Sequence, residues 1–259
     1  MASRGTETEA QGGIESASAR GARRDIAGIV RALSEHPRWR DRLVHWERVP
    51  AHPGRTCALP ASIDPRLAAV LAQGGIERLY EHQARAIELA LAGHDVLVAT
   101  PTASGKTICY TVPVLQSLLA SEGAARALFL FPTKALTQDQ TVGITAMVER
   151  LGASFHAYTY DGDTPPSVRR TLREKGHLVL TNPWMLHQGI LPNHSKWSAL
   201  FQGLEWIVVD ELHTLSGVFG SSVANVLRRL LRIARHYVAK PRFLASSATL
   251  AEPPRKPIR

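Results

Sequence analysis

Two clusters of residues in this sequence have the types and spacing to handle a phosphate and a hard metal cation. The first is Thr100-Pro101-Thr102-Ala103-Ser104-Gly105-Lys106-Thr107. It follows the apolar run DVLVAT and opens a helical pattern, the context a phosphate-binding P-loop requires. Backbone N–H groups of Ala103, Ser104, Gly105, Lys106 and Thr107 would surround a phosphate at a helix N-terminus, where the dipole favours anions. Lys106 would reach the outer phosphates. The Thr107 hydroxyl would ligate Mg²⁺, which takes oxygen ligands. The motif departs from GxxxxGK[ST] at its first glycine, which is Thr100 here. Taken alone, Gly-Lys-Thr is also a turn that simply starts a helix.

The second cluster is Trp206-Ile207-Val208-Val209-Asp210-Glu211-Leu212-His213, an apolar strand ending in two carboxylates. Asp210 would hold Mg²⁺, directly or through water. Glu211 would orient and deprotonate an attacking water. An acidic pair also occurs as a plain polar strand end. Its pairing with the upstream P-loop, within one run of alternating elements, favours nucleotide hydrolysis, with ATP and Mg²⁺ as cofactors.

The elements that must position these groups are legible from Asp95 onward. Short β-rich runs alternate with helical stretches: DVLVAT, ALFLFP, SFHAYTY, HLVLT, WIVVD and RFLASS, separated by helices ending near Leu119 and Leu151, near Pro166 to Glu174, from Pro183, and around Val218 to Arg235. Strands apolar throughout and each followed by a helix imply an α/β domain with a mainly parallel sheet flanked by helices. Ligands bind at the carboxyl ends of such strands. Upstream, Asp64 to Leu71 and Tyr80 to Leu91 read as helices, and residues 37–63, with several prolines, as a loop-rich segment. Residues 1–21 are poor in large apolar side chains and read as a disordered tail. A helix is expected from Arg23 to Ser34. The resulting division is a tail at 1–21, an accessory segment at 22–75, an ATP-binding lobe at 76–252 and a Pro-rich tail at 253–259.

In order and spacing these residues resemble superfamily 2 DExH/DEAD-box helicases, over about Leu79 to Leu250. Leu79-Tyr80-Glu81-His82-Gln83 is similar to the Q motif, which implies that Gln83 reads the adenine edge. Phe131 to Leu136, Tyr160 to Thr164, and Thr181-Asn182-Pro183 are similar to the motifs that meet nucleic acid. DELH resembles motif II, and Ser247-Ala248-Thr249 motif III. ATPTASGKTICY, TNPWMLHQGILPNH and DELHTLSGVFGSSVANVLRRLLR are similar to the bacterial mitomycin-repair (MrfA-type) DNA helicase branch. The resemblance implies a RecA-like fold. It places Thr133, Lys134, Gly162, Thr181 and Asn182 along a surface contacting the nucleic-acid backbone, which gives affinity without sequence readout. Lys134 would equally be a solvated first-turn lysine, and Asn182-Pro183 a helix cap with proline at N1. It assigns His213, Ser247 and Thr249 to coupling between nucleotide and nucleic acid. DNA is favoured over RNA on the branch resemblance.

Helicases of this class hydrolyse ATP between two RecA-like lobes. The sequence stops soon after motif III, so the second lobe and its arginine finger, worth roughly 10³–10⁵ in rate, are expected to lie outside it. That leaves two readings: a motor lobe active in a longer or complemented form, or a binding module with negligible turnover by itself. Leu215-Ser216-Gly217 is faintly similar to the ABC transporter signature, but it follows the acidic strand end where that signature precedes it.

The bulk properties agree with these readings. The 259 residues are 44% hydrophobic and 20% charged, with a net charge of +9 that suits a polyanionic partner. Arg228, Arg229, Arg232 and Arg235 share a helix with apolar Val226, Leu227, Leu230 and Leu231 and read as its solvated face. Trp184, Trp197 and Trp206 read as core or rim packing rather than base-stacking platforms. Cys57 and Cys109 form no CxxC, so an all-cysteine metal site is excluded and reduced thiols are expected. The absence of a long apolar run or a secretion signal points to no membrane and a cytoplasmic location.

Overall fold

The structure is a computed structural model that describes residues 26–45, 47 and 54–248. It divides into a small unit ending at Pro53 and a large unit beginning at Gly54. In the small unit, helix α1 spans Ile26–Glu35 and a 3₁₀ turn spans Arg40–Arg42. Arg38 lies over the Trp39 ring there, 5.2 Å from its centroid. The tails at 1–21 and 253–259 fall outside the described residues.

The large unit is built on a six-stranded sheet. In chain order its elements are β1 (Thr56–Cys57), α2 (Pro65–Gln73), β2 (Leu79–Tyr80), α3 (Glu81–Leu91), β3 (Val96–Ala99), α4 (Lys106–Ala120), β4 (Arg126–Leu130), α5 (Lys134–Arg150), β5 (Ala157–Thr159), α6 (Pro166–Lys175), β6 (Leu178–Thr181), α7 (Pro183–Met185), α8 (Ser198–Gln202), β7 (Leu204–Val209), α9 (Gly217–His236) and β8 (Arg242–Ser247). Strand order across the main sheet is β3-β8-β7-β4-β6-β5, and every neighbouring pair is parallel. All six carboxyl ends therefore lie along one edge.

Alternation along the strands sends side chains to two cores. Ala127, Phe129, Leu178, Leu180, Trp206 and Val208 enter the core formed with α2, α3, α4 and α5. Leu128, Leu130, Val179, Ile207 and Val209 enter the core formed with α9 and the irregular helical run after β6. Both faces are thus covered, as a parallel sheet requires. The expected strands and helices recur with ends shifted by up to three residues.

Two features differ from the expected outline. The accessory segment at 22–75 does not hold together. Residues from Gly54 on belong to the lobe, with Ile63, Leu67 and Leu71 in its core. Asp64 caps α2, accepting from the Arg66 N–H at 2.8 Å, and Pro65 opens it. The loop-rich reading of 37–63 also missed β1, which pairs antiparallel with β2 and anchors this segment beside α3. Among the described residues no helix is long and apolar enough to cross a membrane.

His177, just before β6, is half-buried between His156 and Phe155. Burial first, then the charge of Arg126 and the neighbouring His156, pushes its imidazole down from 6.5 to about 4. The folded state thus binds fewer protons than the unfolded state between these values. Stability present in full above pH 6.5 is therefore lost as pH falls toward 4. His177→Gln is expected to flatten this part of the acid limb of a melting-temperature profile, and an unchanged profile would refute the assignment.

Candidate nucleotide and nucleic-acid site

The P-loop bridges β3 and α4 and is held by its own side chains and by α3. Gly105 takes φ +74° at the start of α4, a left-handed conformation that suits glycine. A Cβ there would lie 2.4 Å from Gln83 Nε2. Gln83 is buried, donating to the Gly105 carbonyl at 3.0 Å and accepting from the Tyr80 N–H at 2.9 Å. This amide braces the loop from α3 rather than standing open toward an adenine edge. His82 Nε2 lies 3.1 Å from the Ser104 carbonyl, a second tie. The Thr100 hydroxyl is 2.6 Å from that of Ser104. That cross-loop bond gives the threonine a use at the first position of the motif, where a glycine is usual.

Lys106 is 8% exposed, and its ammonium donates to the carbonyls of Thr100 and Pro101, 3.0 Å each. An ammonium has three donors, so one remains for a phosphate oxygen. A cleft of about 230 Å³ opens here, lined by Thr102 to Thr107, Leu136, Gln140, Asp210 and Glu211. The structure thus brings both sequence clusters to one cavity.

Asp210 leaves the end of β7 and is 7% exposed. Its Oδ1 accepts from the Glu211 N–H at 2.9 Å and from the Ser246 hydroxyl, and its Oδ2 accepts from the Tyr110 phenol at 3.1 Å. Burial, with Asp210 beside it, pushes that phenol far above its ordinary range, so it stays a donor. Tyr110 Oη is also 3.4 Å from Thr107 Oγ1 and from Gln140 Oε1. The hydroxyl of Thr107 and the carboxylate of Asp210 thus converge on one phenol, and both are hard oxygen donors of the kind Mg²⁺ takes.

Glu211 sits at φ +51°, a conformation uncommon outside glycine and frequent at functional sites. Its Oε2 is shut off from solvent, with His213 Nδ1 3.2 Å away. That same Nδ1 lies 3.4 Å from the Ala248 backbone N–H. Nδ1 thus accepts from Ala248, and Glu211 Oε2 keeps no hydrogen-bond partner among the described residues. Ser247 is buried, and its carbonyl accepts from the Thr100 N–H at 3.2 Å. The contact from β8 to Asp210 is made by Ser246, the residue before Ser247. Thr249 lies outside the described residues.

The expected nucleic-acid residues line the same edge, at the ends of β4, β5 and β6, with different availability. Thr133 caps α5, accepting from the Leu136 N–H at 3.3 Å, and Asn182 caps α7, accepting from Met185 at 2.9 Å. Asn182 retains its amide N–H groups as donors. Lys134 pairs with Asp163 and lies 3.7 Å from Asp161, and Asp163 raises its pKa above the ordinary range. Gly162 is exposed, and its carbonyl accepts from Arg169 at 3.0 Å. Thr181 corrects the expectation: it is fully buried and its hydroxyl donates to the Tyr160 carbonyl at 2.7 Å, so it ties β6 to β5 rather than facing a ligand. Tyr110, Gln140, Ser246 and His82 are site residues that motif spacing did not expose, since each acts through tertiary contact.

A parallel sheet bearing a P-loop at β3 and an acidic pair at β7 defines a RecA-like nucleotide-binding lobe. The sequence pattern of the DEAD/DEAH box helicase family matches residues 80–256, and the chain belongs to that family. It is 49% identical over 213 residues to the ATP-dependent helicase YprA of Bacillus subtilis, covering 82% of this chain and 28% of that protein. It is 42% identical over 181 residues to the ATP-dependent helicase hrq1 of Schizosaccharomyces pombe, covering 69% and 17%. A crystal structure of the DUF1998 helicase MrfA bound to DNA and AMPPNP superposes with a TM-score of 0.77 at 50% identity, covering 81% of this chain and 29% of that one. The resemblance to the MrfA branch therefore holds. The chain spans under a third of the length of these relatives.

Tyr110→Phe and Ser246→Ala each remove one donor from the buried Asp210 carboxylate. Each is expected to lower unfolding free energy by about 1–3 kcal/mol, read by urea denaturation with an unchanged m value. Because both serve one group, the double variant should depart from additivity.

Proposed function

We propose that this chain is the ATP-binding and ATP-hydrolysing lobe of an ATP-dependent DNA helicase, working against a second RecA-like lobe. The observation that carries this reading is the single cleft lined by Lys106, Thr107, Asp210 and Glu211. Backbone N–H groups of Ala103 to Thr107 hold the β-phosphate, and the third donor of Lys106 takes an outer phosphate oxygen. Thr107 and Asp210 would hold Mg²⁺, which would supply charge neutralisation to the phosphates when bound. Glu211, fixed at the turn after β7, orients and deprotonates the attacking water. His213 and the end of β8 relay the state of this cleft to the neighbouring strand ends.

Nucleic acid lies along those ends, over Thr133, Gly162 and Asn182, with Lys134 released from Asp163 to a phosphate. DNA is preferred because MrfA was crystallised bound to DNA. The location is cytoplasmic. Cys57 and Cys109 are both free thiols, which suits a reducing compartment.

The test joins this chain to the remaining part of the Bacillus relative and follows ATP hydrolysis with and without single-stranded DNA. DNA-stimulated turnover is expected. Lys106→Ala should cut it by at least about 10²-fold, as loss of a charge-stabilising group does. Glu211→Gln should stop turnover while ATP still binds. Indifference of turnover to Lys106→Ala would sink the proposal.

A further inference from the structure

A groove of about 620 Å³ runs between α7 and the first half of α9, on the opposite side of β7 from the P-loop. Pro183, Trp184, His187, Phe219, Val226 and Arg229 are among its walls. Trp184 is 65% exposed and Phe219 50% exposed, whereas Trp197 and Trp206 are buried. The local backbone sets both rings outward. Asn182 caps α7 and Pro183 opens it, which leaves Trp184 on the outer side of the first turn. At the start of α9, a Cβ on Gly220 would lie 2.3 Å from the Leu215 carbonyl, so only glycine admits the tight turn that presents Phe219.

The charge around the groove is of one sign. Residues 175–204 and 212–251 contain no aspartate or glutamate. Helix α9 carries Arg228, Arg229, Arg232 and Arg235, and among the described residues none of these forms an ion pair. Exposed aromatic faces beside unneutralised arginines are the composition of a single-strand binding surface, where bases stack and phosphates meet cations. The groove is also continuous with the strand-end face, since Trp184 follows Asn182 by two residues at the end of β6.

We infer that this groove receives unpaired nucleobases of a single strand, stacked on Trp184 and Phe219, with Arg229 against the adjoining phosphate. The inference rests on the reading of the strand-end face as a nucleic-acid track and extends that track from backbone contacts to base contacts. Stacking accepts any base, so the groove adds affinity for single strands without choosing a sequence.

Fluorescence anisotropy of the full 259-residue chain tests it. The probes are a labelled short oligothymidylate and an abasic deoxyribose-phosphate oligomer of the same length. Trp184→Ala is expected to weaken oligothymidylate binding by roughly 5- to 150-fold, the span of one base–aromatic stack. Binding of the abasic oligomer should change by less than about twofold, because it has phosphates but no base to stack. Trp184→Phe should retain most of the affinity. Arg229→Ala should weaken both probes alike and lower the salt dependence. Equal losses on both oligomers with Trp184→Ala would overturn the stacking role. Unchanged oligothymidylate binding would overturn the inference alone and leave the groove to a protein surface. Failure of the wild-type chain to bind either probe would overturn the nucleic-acid reading and this inference with it.

Discussion

Asp210 is a carboxylate buried at the end of a strand, and a charge in that position has to be supplied with donors. Three arrive from different parts of the chain: the Tyr110 phenol from α4, the Ser246 hydroxyl from β8 and the Glu211 backbone N–H from the turn that follows. Meeting this demand brings the first turns of α4 to the end of β7 and lays β8 between β3 and β7. The P-loop, the acidic pair and the strand leading to motif III are thereby neighbours. An unsatisfied carboxylate would be costly enough that the lobe has good reason to keep this arrangement before any ligand arrives.

The same group ties chemistry to packing. Tyr110 lies edge-on to Phe129, 6.1 Å between ring centroids, in the core beneath the P-loop. The ring that positions the Asp210 oxygen is therefore itself held by the central strand of the sheet. Glu211 is placed by backbone rather than by partners: its left-handed turn directs the carboxylate while Oδ1 of its neighbour holds the N–H. Rigid elements hold Thr107 and Asp210, and one tight turn holds Glu211.

Much of this was legible in the sequence. The apolar runs ALFLFP, HLVLT and WIVVD announce buried parallel strands because burial on both faces leaves no polar alternation to break them. Gly105-Lys106-Thr107 and Asp210-Glu211 announce the chemistry because their spacing to a strand end is local. What spacing could not show was partnership. Ser246 and Ser247 are adjacent serines, and only the twist of β8 decides which hydroxyl meets Asp210. Gln83 read as a ligand-facing amide, yet the fold spends it on the Gly105 carbonyl. Thr181 was placed on the nucleic-acid face by its motif, but the fold spends its hydroxyl on the Tyr160 carbonyl. Trp184 read as packing because tryptophan usually is, yet the fold leaves it 65% exposed.

The alternation of β4, β6 and β7 between two cores has a consequence of its own. Phe129, Leu180 and Val208 face the side that carries Tyr110 and the P-loop helix, while Leu128, Val179 and Ile207 face the side that carries α9 and its groove. The sheet is a partition with a parity: within each strand, alternate positions belong to different cores. A single-residue insertion near the carboxyl end of β7 would exchange the facing of that strand's side chains beyond it and turn Asp210 away from its donors. The one irregularity in the β4–β7 register falls at the amino end, where Arg126 pairs with Leu204 and Ala127 with Trp206, so the extra residue is absorbed far from the carboxyl ends and leaves Asp210 in phase with its donors.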